Sequence, residues 1–135
     1  MCIRDRRMPL LYSEGVLAGR ISLNRFVDLT ATQPARAYGL YPRKGTLAIG
    51  SDADLVIWEE REFTLANEQL HHAVDYTPYA GMTLRAWPAM TLLRGQIVWD
   101  GARFAGTPGQ GQFLPRGLPN VAPPSARKGT QPAWR

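Results

Sequence analysis

Two adjacent histidines and a nearby aspartate, His71, His72 and Asp75, form the one cluster in the chain whose residue types could hold a metal ion. Neighbouring side chains point to opposite faces of a strand and diverge by about 100° on a helix, so adjacent histidines rarely ligate one ion together. A polar loop or an interface pair is the plainer reading. Ser51-Asp52-Ala53-Asp54 sets two carboxylates two residues apart. A calcium loop needs more oxygen ligands and an acid–base pair needs a pocket, whereas Asp54 immediately precedes an apolar run, where its carboxylate can accept turn N–H groups. Gly109-Gln110-Gly111 has the glycines of a phosphate cradle but neither the strand-to-helix setting nor the Lys-Ser/Thr of a nucleotide loop. Cys2 is the single cysteine, and no serine sits in an elbow motif, so no nucleophile has a base beside it. The residues predict a scaffold with no catalytic, substrate-binding or metal site of its own.

The elements that would position these groups fall into two kinds. Residues 9–40 carry helical spacing. Pro9 suits a first turn, Leu10, Leu11, Val16 and Leu17 repeat with helical spacing, and Gly19 marks the stop. Ser22 is placed to cap a second helix bearing Leu23, Phe26, Val27 and Thr30, while Thr32 and Pro34 restart a short helix that Gly39 ends. From Lys44 the period becomes extended. Thr46–Ile49 reads as a short strand, and Leu55–Trp58 as a strand apolar on both faces and therefore covered on both. Met90–Leu93 and Gln96–Trp99 flank Arg94-Gly95 as a hairpin, and Asp100-Gly101 marks a further turn before Arg103-Phe104. Residues 62–88 show no clean period and read as a loop-rich excursion.

Charge and composition narrow the classes. The 135 residues hold 16 Lys+Arg and 11 Asp+Glu, a formal +5, yet residues 8–106 carry nine bases against ten acids. The excess sits at the two ends, which argues against a nucleic-acid-binding domain, where a basic face belongs on the folded part. No apolar run approaches the roughly 18 residues of a membrane span. Pro9 and Ser13-Glu14 break the only candidate apolar region behind the N-terminal arginines, so no signal peptide is expected. A lone cysteine makes a reducing compartment the default. Eleven Gly or Pro in the last 30 residues predict an irregular arm over 106–117 and a disordered tail over 118–135.

Several runs, taken together, resemble the C-terminal third of dihydropyrimidinases and D-hydantoinases, the cyclic amidohydrolases. They are Leu10–Val16 (LLYSEGV), Gly19–Val27 (GRISLNRFV), Tyr38–Thr46 (YGLYPRKGT), Gly50–Trp58 (GSDADLVIW), Val74–Met82 (VDYTPYAGM) and Gly109–Arg116 (GQGQFLPR). The likeness covers residues 8–117. Gly-Ser-Asp-Ala-Asp-Leu alone would point only to the wider amidohydrolase superfamily, and Met1–Arg7 reads as a stub outside the family.

The resemblance implies an α/β parent, a (β/α)8 barrel plus a β-sandwich assembled from both chain ends. On that view 8–43 are the last barrel helices, 44–105 belong to the sandwich, and 106–117 is an arm between subunits of a homo-oligomer, a tetramer or dimer. It also implies two zinc ions held by histidines, an aspartate and a carboxylated lysine, a small cyclic amide or imide substrate, and ring opening to an N-carbamoyl amino acid. Every such ligand lies upstream of residue 8 in the family pattern. None is carried onto a position here, and His71 and His72 do not match them. The expectation is a C-terminal part of a cytoplasmic zinc-dependent hydrolase, inactive and metal-free by itself, with no nucleic-acid or membrane partner. The alternative is part of a non-catalytic dihydropyrimidinase-related scaffold protein, from which the run His71–Tyr76 differs. An independent small β-sandwich is disfavoured, since only four or five convincing strands are present.

Overall fold

The computed structural model describes residues 6–70 and 76–121. Helix α1 (Arg7–Leu11) starts with Pro9 in its first turn and runs on into a wider π-helical turn over Tyr12–Leu17. Gly19, at φ +71°, ends it, its N–H on the Val16 carbonyl, while Arg20 and Ile21 both donate to the carbonyl of Gly15. The left-handed backbone there strains any residue with a Cβ, which is why glycine marks the stop.

Ser22 then caps α2 (Leu23–Val27), its Oγ accepting the Arg25 N–H at 3.1 Å. A π-helical turn over Asp28–Thr32 joins α2 directly to α3 (Gln33–Ala37). The sequence predicted a restart at this point; the helix instead continues. Its widened turn, with the Gln33 N–H reaching back to Asp28, carries the chain past Pro34, which has no N–H to give and whose ring crowds a regular helix. Gly39, at φ +67°, ends α3 as expected.

Three strands form an antiparallel sheet in the order β1 (Leu55–Glu59), β4 (Trp87–Leu93), β5 (Gln96–Trp99). Leu55 pairs with Leu92 and Glu59 with Trp87, with a slip between Ile57 and Trp58 where Pro88 enters the ladder. A proline that cannot donate a hydrogen bond gives the register reason to shift there. The predicted hairpin is present. Arg94 (φ +48°) and Gly95 (φ +79°) both take the left-handed backbone of a two-residue turn. β2 (Phe63–Thr64) and β3 (Thr83–Leu84) make a separate two-stranded ladder inside the stretch read as loop.

Two strand expectations need correction. Thr46–Ile49 is irregular, with Leu47 and Ile49 largely or fully exposed, because no neighbouring strand among the described residues pairs with it. β1 is not covered on both faces: Val56 and Ile57, which point to opposite sides, are 45% and 49% exposed.

Helices meet sheet through three rings. Trp58 stacks on Tyr12 at 5.1 Å between centroids, and Phe26 stands edge-on to both, at 5.2 Å from Tyr12 and 5.8 Å from Trp58. Met8, Leu11, Val16, Leu17, Ile21 and buried Ala86 surround them. The Tyr12 hydroxyl donates to Glu60 Oε1 at 2.9 Å; burial first, then this carboxylate, pushes the phenol up from its ordinary value. A second seam is polar. Buried Ser13 accepts the Arg85 N–H on its Oγ at 2.9 Å and the Arg85 guanidinium on its carbonyl at 3.0 Å.

Candidate functional site: a charged clasp between helices and hairpin

The motif Ser51-Asp52-Ala53-Asp54 sits where three parts of the chain converge. Ser51 Oγ donates to the Pro42 carbonyl at 2.8 Å and the Asp52 N–H to that of Arg43 at 2.9 Å, folding the motif back on the segment that leaves α3. Lys44 reaches across, its Nζ 2.9 Å from Asp52 Oδ2 and in direct contact with Asp54 Oδ2, and Arg43 Nε adds a 3.2 Å contact to Asp52. On the far side Asp54 Oδ1 accepts the Arg94 N–H and the Ala53 carbonyl accepts the Gly95 N–H, both at 2.9 Å. Thr32 Oγ1, donating to the Gly45 carbonyl at 2.8 Å, ties the same loop to the helix. Asp54 does accept a turn N–H, but from the hairpin forty residues away.

Two shifts follow from this geometry. The Lys44 ammonium, its largest contributor, holds the Asp52 carboxyl below the ordinary carboxylate value. Burial alone would lower Lys44, but its bonds to Asp52 and Asp54 outweigh that and raise it. A general base works best with a pKa near the operating pH, so a carboxylate pushed down and an ammonium pushed up are poor proton-transfer groups. The clasp's chemistry is mechanical: it joins helix, loop and hairpin.

A stability profile follows. The depressed Asp52 contributes stability above its unfolded pKa of about 3.9, lost as pH falls through the folded value; the raised Lys44 contributes below about 10.4, lost as pH rises through its folded value. Urea midpoints followed against pH are expected to fall on the acid side, and Asp52→Asn to flatten that limb. Acid limbs that run parallel in the two proteins would show that the clasp does not hold the fold.

Of the other sequence candidates, only Gly109-Gln110-Gly111 falls within the described residues. His71, His72, Asp75 and Cys2 lie outside the described residues. Gly109-Gln110-Gly111 lies on the arm, where the Gln110 carbonyl accepts the Arg94 guanidinium and its side chain bridges Gln96 and the Thr107 N–H. Lys44 and Arg94 were not singled out as site residues in the sequence. A lysine ten residues before Asp54 gives no local signal, and Arg94 read only as turn.

Among the described residues no three His, Cys, Asp or Glu side chains converge. Several of their carboxylates are engaged elsewhere: Asp28 by Arg25 at 2.6 Å and by Gln33, Asp100 by the Ala102 and Arg103 amides, Glu59 by Arg61. These residues do not fit a two-zinc centre. Open cavities flank these elements. One of about 320 Å³ is lined by Lys44, Asp52 and Asp54 of the clasp and by Phe26, Val27 and Trp58, and one of about 500 Å³ by Leu10, Leu11 and Ile21 with Arg7 and Arg20. Among the described residues no helix is long and apolar enough to cross a membrane.

Known proteins resemble this chain in sequence and fold. The D-hydantoinase of Ralstonia pickettii is 43% identical over 113 residues, 83% of this chain and 24% of that protein. That of Geobacillus stearothermophilus is 45% identical over 115 residues, 84% of this chain and 24% of its own. The crystal structure of dihydropyrimidinase from Brevibacillus agri superposes with a TM-score of 0.79 at 41% identity, covering 86% of this chain and 25% of that one. The chain thus spans about a quarter of the length of these relatives. The model describing the amidohydrolase family matches residues 16–99, a span that holds the capped helix, the clasp and the hairpin, and the chain belongs to that family.

Proposed function

We propose that residues 8–117 serve as the C-terminal, structural part of a cyclic amide hydrolase of the dihydropyrimidinase and hydantoinase type. The carrying observation is that the chain is 43% and 45% identical to two D-hydantoinases over 83% and 84% of its length, and that the span matching the amidohydrolase family, residues 16–99, holds the Ser22 cap, the clasp and the Arg94-Gly95 hairpin. On this reading the reaction adds water across a ring amide of a small cyclic amide or imide, cleaving the ring C–N bond to give an N-carbamoyl amino acid. The parent fold is a (β/α)8 barrel with a β-sandwich, and two zinc ions with a carboxylated lysine are held by parts of the enzyme other than these. No catalytic step falls to a residue described in this chain, which by itself is inactive. Arm 106–117 contacts a neighbouring subunit of a homo-oligomer: Phe113 is 90% exposed there amid residues that cannot bury it locally. A single cysteine supports a reducing, cytoplasmic setting.

The test is an exchange of parts. Replacing the corresponding C-terminal segment of the Geobacillus stearothermophilus D-hydantoinase with residues 8–117 is expected to leave a soluble enzyme that still opens hydantoin, while the 135-residue chain alone turns over neither hydantoin nor dihydrouracil. A folded chimera without activity would refute the assignment. Turnover by the chain alone would refute its purely structural role.

A further inference from the structure

Arg94 is the only non-glycine residue with a positive φ among the described residues, at +48°. That backbone disfavours a long side chain, and a two-residue turn of this kind ordinarily takes Asn, Asp or Gly there. Two contacts hold the residue, and only the second needs an arginine side chain. Its N–H is held by Asp54 Oδ1 at 2.9 Å, and its guanidinium donates to the carbonyl of Gln110 on the arm. Gln110 in turn organises the arm around itself: its Oε1 accepts the Thr107 N–H at 3.1 Å, its N–H donates to the Thr107 carbonyl at 3.2 Å, and its Nε2 donates to Gln96 Oε1 at 3.0 Å. A cleft of about 180 Å³ separates the clasp from the overlying stretch Gly111–Leu114.

The arm has one other anchor, at its far end. The Gly117 N–H donates to the Gly39 carbonyl at 2.8 Å and the Asn120 N–H to that of Arg36 at 2.9 Å. A Cβ on Gly39 would come within 2.1 Å of the Gly117 oxygen, so the strap lies directly on the end of α3. Between the two anchors Phe113 is largely exposed and Leu114 is half-buried.

We propose that Arg94 is the latch of a strap: the hairpin turn, steadied by Asp54, seats the arm through the Gln110 carbonyl and so presents Phe113 as an ordered apolar surface. Asp54 and Arg94 are positioning residues in this device. An arm ordered in advance binds a partner without the cost of ordering it at that moment. The latch stands on the contacts of this chain alone; its consequence for subunit assembly rests on the reading of the arm given above.

Arg94→Gly tests it with little risk to the fold, because glycine suits the turn better than arginine. Hydrogen exchange on the full 135-residue chain is expected to speed up on the order of tenfold at the Thr107 and Gln110 amides, as the loss of a charged hydrogen bond implies. The Gly117 and Asn120 amides, on the other anchor, stay unchanged. Gly95, bonded to the Ala53 carbonyl, reports whether the turn is intact. Arg94→Asn, which also tolerates a positive φ and is too short to reach Gln110, removes the objection that glycine merely loosens the turn, and is expected to match it. Unchanged exchange at Thr107 and Gln110 in both variants overturns the latch. In the hydantoinase chimera, Arg94→Gly is expected to weaken subunit assembly severalfold on dilution. Faster exchange with assembly unchanged keeps the latch and refutes the subunit contact.

Discussion

Phe26→Ala is expected to lower the unfolding free energy by about 3–5 kcal/mol, the usual cost of emptying a buried phenylalanine site. Phe26 is 3% exposed and stands edge-on to both Tyr12 and Trp58. Those rings are the main joint between helices and sheet, so the cavity opens at the interface, where neither layer can relax into it without losing the other. Edge-to-face pairs add about 0.5–1.5 kcal/mol beyond the area they bury. Against a net stability of about 5–15 kcal/mol for a single domain, the loss decides whether the chain stays folded. Phe26→Leu keeps most of the volume and is expected to cost markedly less. Urea midpoints at constant m-value measure both. A shift below about 1 kcal/mol for the alanine variant would mean that the three rings do not carry the joint.

The second large effect concerns β1. Its ladder is filled on one side by β4, and among the described residues no strand pairs with its other edge. The outer edge of β5, by contrast, is closed by the Trp99–Phe104 bridge and by the Ala105 N–H on the Val98 carbonyl. An open edge flanked by half-exposed Val56 and Ile57 is a template for another strand. The purified chain is therefore expected to associate as its concentration rises, with amides of 55–58 gaining protection on association. Val56→Lys, a charge on that exposed face, is expected to move the association midpoint at least tenfold higher while leaving the β4–β5 hairpin protected. Strong protection of 55–58 in a chain that stays monomeric at all concentrations would show that the edge is already closed, and the account of β1 would fail.

Local rules served well wherever a residue's conformation is decided by its own neighbours. Gly19 and Gly39 stop helices because left-handed backbone costs them nothing, and Ser22 caps α2 because its oxygen meets an N–H three residues on. Gly95 and Gly101 let the chain turn for the same short-range reason. The motif combination was also enough to point to the amidohydrolase family.

Tertiary structure decided what depends on distant partners. Thr46–Ile49 has the residues of a strand and no strand beside it; Leu55–Trp58 has the residues of a buried strand and only partial cover. Apolar pattern states what a segment can bury, while the neighbour that buries it is chosen elsewhere in the chain. The clasp shows this most plainly. Asp54 was read as a turn acceptor from its own sequence, but its partners are Lys44, ten residues before it, and the Arg94 amide, forty residues after. Ion pairs and cross-sheet hydrogen bonds are set by distances of a few ångströms in space, and only the folded chain brings those three residues that close.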